Sequence, residues 1–185
     1  KSSYVAYEKI ISLGLKAEIG KTGHSNIKKR IKEINSPLAG EMSGHIFFAD
    51  SYFGFDDAIY AALRVLSLLT RSGCSLASLY NSLPKLQNTP EIRFECNDKR
   101  KFIVIEEVHN RLEKQGARIT NIDGVRVERE TGWWLLRASN TQPILVARCE
   151  ATSLQDLNSL KSELAEQLKI SGIKPPNGVL ESNSV

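Results

Sequence analysis

Apolar residues recur along the chain at two spacings, and the spacing changes character near residue 90. Ser3 to Leu13 carries Val5, Ile10, Ile11 and Leu13 and runs into Gly14, which predicts a short helix stopped by a glycine. Leu15 to Ile19 reads as a short strand. From His24 to Asn35, Ile27, Ile31 and Ile34 share one helical face, with Lys28, Lys29, Arg30, Lys32 and Glu33 on the other. Gly40 to Asp50 passes from a polar turn into Ile46-Phe47-Phe48-Ala49, a strand-like stretch. The strongest helix is Asp56 to Thr70. Asp56 and Asp57 stand at its N-terminus, where carboxylates satisfy free N–H groups. Ile59, Leu63, Leu66 and Leu69, with Ala62 and Val65, form an apolar face wide enough to predict a mostly buried helix. Ser75 to Leu83 is a third, shorter one, with Leu76, Leu79, Tyr80 and Leu83 on one side.

Beyond Leu83 the texture changes. Pro84 to Pro90 holds two prolines and polar residues without periodicity, and reads as a linker. Ile92, Phe94 and Cys96 then alternate as in a strand. Lys99 to Gln115 is a helix with Phe102, Ile105, Val108 and Leu112 inward, ended by Gly116. Arg118–Ile122 and Val125–Arg129 flank Asp123-Gly124, a two-residue hairpin signal. Trp133–Ala138 and Ile144–Glu150 are two further strands. Ser153 to Ile170 is the last helix, with Leu154, Leu157, Leu160, Leu164 and Leu168 every three or four residues and Ser153 with Asp156 resembling a capping box. The pattern gives an α/β body over residues 1–83, a linker over 84–90, a β-α-β-β-β-β-α body of α+β class over 91–172 and a loose tail over 173–185.

Composition narrows the picture. The chain has 185 residues, 41% hydrophobic and 25% charged, with a net charge of +4. That balance belongs to a globular protein and excludes disorder for the bulk of the chain. A membrane span is excluded by pattern: the most apolar stretch, Ala58 to Leu69, is interrupted by Arg64 and falls short of about 20 residues. Cys74, Cys96 and Cys149 are odd in number and far apart, so neither a zinc site nor a disulfide framework is indicated, and reduced thiols suit a cytoplasmic protein. The opening residues do not read as a signal peptide, and none is expected. A chain that starts at Lys1 rather than Met reads as a piece of a longer one.

Three segments could carry chemistry. Gly40-Glu41-Met42-Ser43-Gly44-His45 places an acceptor and a hydroxyl between two glycines and an imidazole just after them, the mixture of donors and acceptors that a polyol needs; an ordinary loop with a capping Glu has the same composition. Arg137-Ala138-Ser139-Asn140-Thr141-Gln142-Pro143 places an arginine fork ahead of hydroxyl and amide donors, with turn N–H groups able to form an anion nest; a plain strand-to-strand turn after an exposed Arg is the alternative. Lys21-Thr22-Gly23-His24 opens the Ile27 helix, whose N-terminus either attracts an anion or is simply capped. The Lys28-Lys29-Arg30 run reads as a solvated face and gives no ground for a nucleic-acid partner, since no aromatic or second basic cluster accompanies it. P-loop, G-x-G-x-x-G, G-x-S-x-G and H-E-x-x-H motifs are absent, as is a carboxylate cluster suited to Mg²⁺.

Gly40–His45 (GEMSGH) and Arg137–Pro143 (RASNTQP), in that order, resemble the sugar-binding and phosphate-binding loops of the α-D-phosphohexomutases. Lys21–Ser25, Tyr52–Asp57 (YFGFDD), Thr89-Pro90-Glu91 and Asp123–Val127 (DGVRV) match the family too. GEMSGH followed by Ile46-Phe47-Phe48 is most similar to its phosphomannomutase/phosphoglucomutase branch. The resemblance implies the C-terminal part of a four-domain enzyme: most of a three-layer α/β domain three, cut at its start, and a four- to five-stranded α+β domain four of the TATA-box-binding-protein type.

The resemblance further implies an enzyme that interconverts hexose 1-phosphate and hexose 6-phosphate through a bisphosphate intermediate. Glu41, Ser43, His45, His24 and Lys1 would bind the sugar, with His24 and His45 as polar or proton-transfer groups at the reacting end. Arg137, Ser139, Asn140 and Thr141 would clamp the phosphate. The family's phosphoserine and metal-loop motifs do not occur in this sequence. Mg²⁺ and hexose 1,6-bisphosphate are thus implied only by family, with no metal ligand in this chain, and this chain alone is expected to be inactive. Its implied partners are hexose phosphates and the missing N-terminal domains. A free-standing sugar-phosphate-binding module without catalysis is the competing possibility.

Overall fold

The structure, a computed structural model, describes residues 1–174. Residues 175–185, most of the tail expected over 173–185, lie outside the described residues. Contacts divide the chain into units Lys1–Pro84 and Lys85–Val185.

In the first unit α1 spans Tyr4–Ser12, with the Ser3 hydroxyl accepting from the Val5 N–H. The strand predicted over Leu15–Ile19 is absent: the segment joins no sheet, and its Glu18 reaches Arg30 of α2, His24–Ile34. An antiparallel hairpin follows, β1 (Leu38–Gly40) with β2 (Ile46–Phe48), in the register Gly40↔Ile46. β1 escaped prediction because three residues are too few to show alternation. Then come α3, Ala58–Ser72, and α4, Leu76–Asn81, capped by Asp57 and Ser75. Phe47, Ile31 and Ala61 form the small buried centre.

α3 corrects an expectation. Its apolar face is open: Ile59 is 77% exposed, and Leu63, Leu66 and Leu68 are exposed as well. The physical reason lies in the unit's sheet, which has only two short strands; it covers Ala61 at the start of α3 and leaves the rest uncovered. An apolar row of this length on a surface marks a contact face.

The second unit is built on one antiparallel sheet. β3 (Gln87–Asn88) and β4 (Ile92–Glu95) lie end to end along β8 (Ile144–Ala151), and β7 (Gly132–Ala138), β6 (Val125–Arg129) and β5 (Arg118–Thr120) continue the sheet on β8's other side. α5, Asp98–Lys114, and α6, Leu154–Ile170, supply the helices. Val104, Val108 and Leu112 of α5 and Leu157, Leu160, Leu164 and Leu168 of α6 bury against Val125, Val127, Trp134, Leu136, Leu145 and Ala147. Strand alternation turns Arg126, Trp133, Leu135, Arg137, Arg148 and Glu150 to the opposite face. There the Arg126 guanidinium lies 3.8 Å from the Trp133 ring centroid, and the Trp133 indole N–H donates to Glu150 at 3.0 Å.

Three further expectations change. Gln87 and Asn88 inside the predicted linker pair with Ala151 and Glu150, and Thr89 is locked to Cys149 through both its N–H and its hydroxyl. Phe102 points outward at 54% exposure, while Lys101 and Val104 turn inward; the helix starts at Asp98, and its buried stripe runs Lys101, Val104, Val108, Leu112. The Asp123-Gly124 hairpin is not a two-residue turn. Thr120 pairs with Arg126, which centres an odd-numbered loop on Asp123 and leaves Gly124 at φ +94°.

The thiols differ sharply in environment. Cys74 is exposed, whereas burial pushes the Cys149 thiol up to about 12 and raises that of Cys96 as well. Only thiolate attacks a disulfide reagent. Ellman's reagent should therefore modify one thiol rapidly in the native chain, and the other two only after denaturation.

Candidate functional site

The β1–β2 turn is fixed by its own backbone. The Glu41 N–H donates to the His45 carbonyl at 2.9 Å, and the Gly44 N–H donates to the Glu41 carbonyl at 3.0 Å. Gly44 closes the turn at φ +90°, a region that suits glycine, and Ser43 is left exposed at the tip. The Glu41 Oε1 accepts from the Gly23 N–H at 2.9 Å, the residue that caps α2. The helix N-terminus at Lys21–His24, one of the candidate anion sites, is thus occupied by this chain's own carboxylate. The same bond ties the turn to Gly23, the immediate neighbour of the exposed His24. Among the described residues the other Glu41 oxygen has no protein donor, so it remains available to a hydroxyl.

His45 is oriented by a residue that sequence patterning gave to the α3 cap. Its Nδ1 stands 2.7 Å from the Asp56 Oδ2, and Asp56 is held beside β2 by a bridge to Phe47. An ionised carboxylate only accepts, so Nδ1 carries the proton and Nε2 is the outward nitrogen. The cap itself is Asp57, which accepts from the Tyr60 N–H and the Tyr52 hydroxyl. These bonds hold its carboxyl below the ordinary carboxylate range and raise the Tyr52 phenol. Lys1 stands ahead of α1. The basic face of α2 is partly neutralised, with Arg30 paired to Glu18 and Glu33.

The second candidate segment is the β7–β8 connection. β7 delivers Arg137, which is 8% exposed, and the Ser139 N–H donates to the Ile144 carbonyl at 3.0 Å. Ser139 does not face outward. Its hydroxyl accepts from the Thr141 and Gln142 N–H groups, at 3.4 and 3.2 Å, so those amides are turned into the loop rather than toward an anion. The donors that remain are the exposed Asn140 and Thr141 side chains and the Arg137 fork. Among the described residues neither Nη of Arg137 meets a protein acceptor, and its Nε lies 3.2 Å from Asp123 Oδ2.

Two supports escaped the sequence reading. One is Asp123, read as a turn residue and as part of the DGVRV match but given no place at the site. The other is Lys101, 3% exposed, whose ammonium donates to Asp98 Oδ1 at 2.6 Å and to the Gln142 carbonyl at 2.8 Å. A lysine is seldom buried unless its charge is paired. Here it pins the loop from below, beside the Cys96 N–H, which donates to the Pro143 carbonyl at 2.9 Å. The signal for Lys101 was its place at the head of the buried α5 stripe. Lys101→Met keeps the apolar stem and removes the donor, and should speed hydrogen exchange at the Ser139 and Cys96 amides by about tenfold, that is roughly 1.4 kcal/mol of local stability.

Two family models match the chain in succession: the phosphoglucomutase/phosphomannomutase alpha/beta/alpha domain III over residues 1–86 and the phosphoglucomutase/phosphomannomutase C-terminal domain over residues 91–167. The chain belongs to the phosphoglucomutase/phosphomannomutase family. It is 45% identical over 155 residues to a phosphomannomutase/phosphoglucomutase of Pseudomonas putida, covering 84% of this chain and 34% of that protein. It is 42% identical over 152 residues to a phosphoglucomutase of Neisseria meningitidis, covering 81% of this chain and 33% of that one. A crystal structure of a phosphoglucomutase/phosphomannomutase family protein from Burkholderia thailandensis superposes with a TM-score of 0.81 at 36% identity, over 92% of this chain and 36% of that chain. The chain thus spans about a third of the length of the curated relatives it matches. Among the described residues no helix of this family member is long and apolar enough to cross a membrane.

Proposed function

We propose that this chain is the sugar- and phosphate-recognition portion of a cytoplasmic phosphohexomutase, which interconverts hexose 1-phosphate and hexose 6-phosphate through a hexose 1,6-bisphosphate. The observation that carries the reading is Arg137: nine-tenths buried, yet with both Nη atoms free of protein acceptors among the described residues, ahead of exposed Asn140 and Thr141. Only its Nε is a buried atom without a hydrogen bond among the described residues, so the Nη end of the fork is the part left to take an anion.

In this reading Arg137, Asn140 and Thr141 bind the phosphate group, and Ser139 shapes the loop that presents them. Glu41 and Ser43 accept and donate to sugar hydroxyls. His45, held through Nδ1 by Asp56, offers Nε2 to a reacting oxygen, and His24 and Lys1 complete the polar lining. The N-terminal domains of the same enzyme are the proposed partners. Mg²⁺, which the family implies, has no donor set here: among the described residues no three His, Cys, Asp or Glu side chains gather to hold an ion.

The test is binding. Calorimetric titration of the chain with glucose 6-phosphate and mannose 6-phosphate should show Arg137→Ala weakening both by about one to two powers of ten, since a charge-assisted fork contributes roughly 1.5–3 kcal/mol. Arg137→Lys should recover only part, because a point charge cannot reproduce a planar fork. Equal affinities for wild type and Arg137→Ala would make the loop a plain turn.

A further inference from the structure

The Asp123-Gly124 tip of the β5–β6 hairpin lies directly on β7. A Cβ at Gly124 would stand 2.4 Å from the Leu136 carbonyl oxygen and 2.8 Å from the Arg137 Cα. Only a residue without a side chain lets the tip come so close. One residue earlier, the close approach sets the Asp123 carboxylate 3.2 Å from the Arg137 Nε. That nitrogen is buried and makes no aligned hydrogen bond among the described residues, so the contact is an ion pair at its side.

Placing an anion against the residue that is to bind an anion looks counterproductive. Coulomb repulsion from Asp123 weakens the pull of this site on a phosphate. What the contact gains is order. An arginine has several soft torsions, and the entropy lost in fixing them subtracts from affinity unless the side chain is fixed beforehand. A carboxylate held beside Nε restricts where the guanidinium can sit and leaves the two Nη atoms, the pair used in bidentate binding, for another anion.

We propose that Asp123 is a positioning residue for phosphate recognition: delivered by the close approach of Gly124 to β7, its carboxylate holds the Arg137 guanidinium in the orientation that receives a phosphate group. The proposal rests on the phosphate reading of Arg137 given above. Its sign sets it apart from simple electrostatics. Deleting a negative charge beside an anion site should tighten anion binding, whereas losing the orientation should weaken it.

The experiment uses the full chain, labelled with ¹⁵N and titrated with inorganic phosphate and with glucose 6-phosphate at fixed ionic strength. Wild type, Asp123→Ala, Asp123→Asn and Arg137→Ala are compared, and the heteronuclear NOE of the Arg137 Nε–H group is recorded for each that keeps it. Asp123→Ala should weaken both ligands about 3- to 10-fold, the range that ordering one long side chain represents, and lower that NOE. Asp123→Asn keeps an acceptor oxygen and should lie between the two. If Arg137→Ala loses affinity while Asp123→Ala binds as tightly as wild type or tighter, the positioning role is wrong and the phosphate reading stands. If Arg137→Ala binds as wild type does, the phosphate reading fails and takes the proposal with it. Should Asp123→Ala not fold, Asp123→Asn decides: unchanged or tighter binding, or an undiminished NOE, overturns the proposal.

Discussion

Gly124→Ala is expected to destabilise the second unit by roughly 2–4 kcal/mol. Two costs add. At φ +94° an L side chain meets the following carbonyl, a strain of about 1–2 kcal/mol. The new Cβ would also stand 2.4 Å from the Leu136 carbonyl oxygen, a backbone atom in the middle of the sheet that cannot rotate away. The tip must lift from β7, and its hydrogen bonds to β6 must readjust. Urea denaturation followed by tryptophan fluorescence reads the change directly, because both Trp133 and Trp134 are in β7. A midpoint equal to that of wild type would mean that the hairpin tip does not rest on β7. Gly116→Ala is the matched control: Gly116, in the same unit, also has positive φ, at +71°, but a methyl group there would meet nothing within 4 Å, so this variant should show the strain alone.

Trp134→Ala is expected to cost about 3–5 kcal/mol, the range for removing a large aromatic from a closed core. Trp134 is fully buried, at the centre of β7, between Val127 of β6 and Cys149 of β8. Its indole N–H is buried without a hydrogen-bond partner among the described residues. That detail separates packing from polarity. Trp134→Phe leaves a smaller void and removes the unsatisfied donor, so it should lose far less, under about 2 kcal/mol. Equal losses for the two variants, measured as thermal midpoints, would show that the indole N–H contributes rather than costs.

The helices were legible in sequence because each carries its own punctuation. Ser3, Asp57, Ser75 and Ser153 cap α1, α3, α4 and α6 through their side chains, and these are local events that three or four residues decide. β6, β7 and β8 were legible for the same reason, as neighbouring strands of a meander. Leu15–Ile19 misled because alternation states a preference for extended backbone, and a strand also needs a partner edge. The stripe of α5 was off by a fraction of a turn: Phe102 is the larger hydrophobe, yet Lys101 holds the inward position because its charge is spent on Asp98 and Gln142.

The same division runs through the site. Glu41, His45 and Arg137 were visible as chemistry, each in a short motif. Their partners were not, because Gly23, Asp56 and Asp123 reach them only through the fold, over 18, 11 and 14 residues of chain. Asp56 and Asp57 show the limit best. Two adjacent aspartates with equal claims to the α3 cap divide into a cap and a histidine partner, and only the bridge between Phe47 and Asp56 decides which is which.

The end-to-end placement of β4 along β8 carries a kinetic consequence. β5 to β8 are joined by short turns and can pair as each is reached. β4 precedes α5 in the chain and must come back across the whole meander to meet β8, with Ile92 opposite Ala147. Closing a loop of about 50 residues costs on the order of 3–4 kcal/mol of chain entropy before any contact repays it. That pairing belongs late in folding, where long-range contacts set the rate. Cys96, which follows β4, and Lys101, on the first turns of α5, arrive with it. The Arg137 loop therefore acquires its floor last, and a folding intermediate that already holds the β6–β7–β8 meander would still present that loop unpinned.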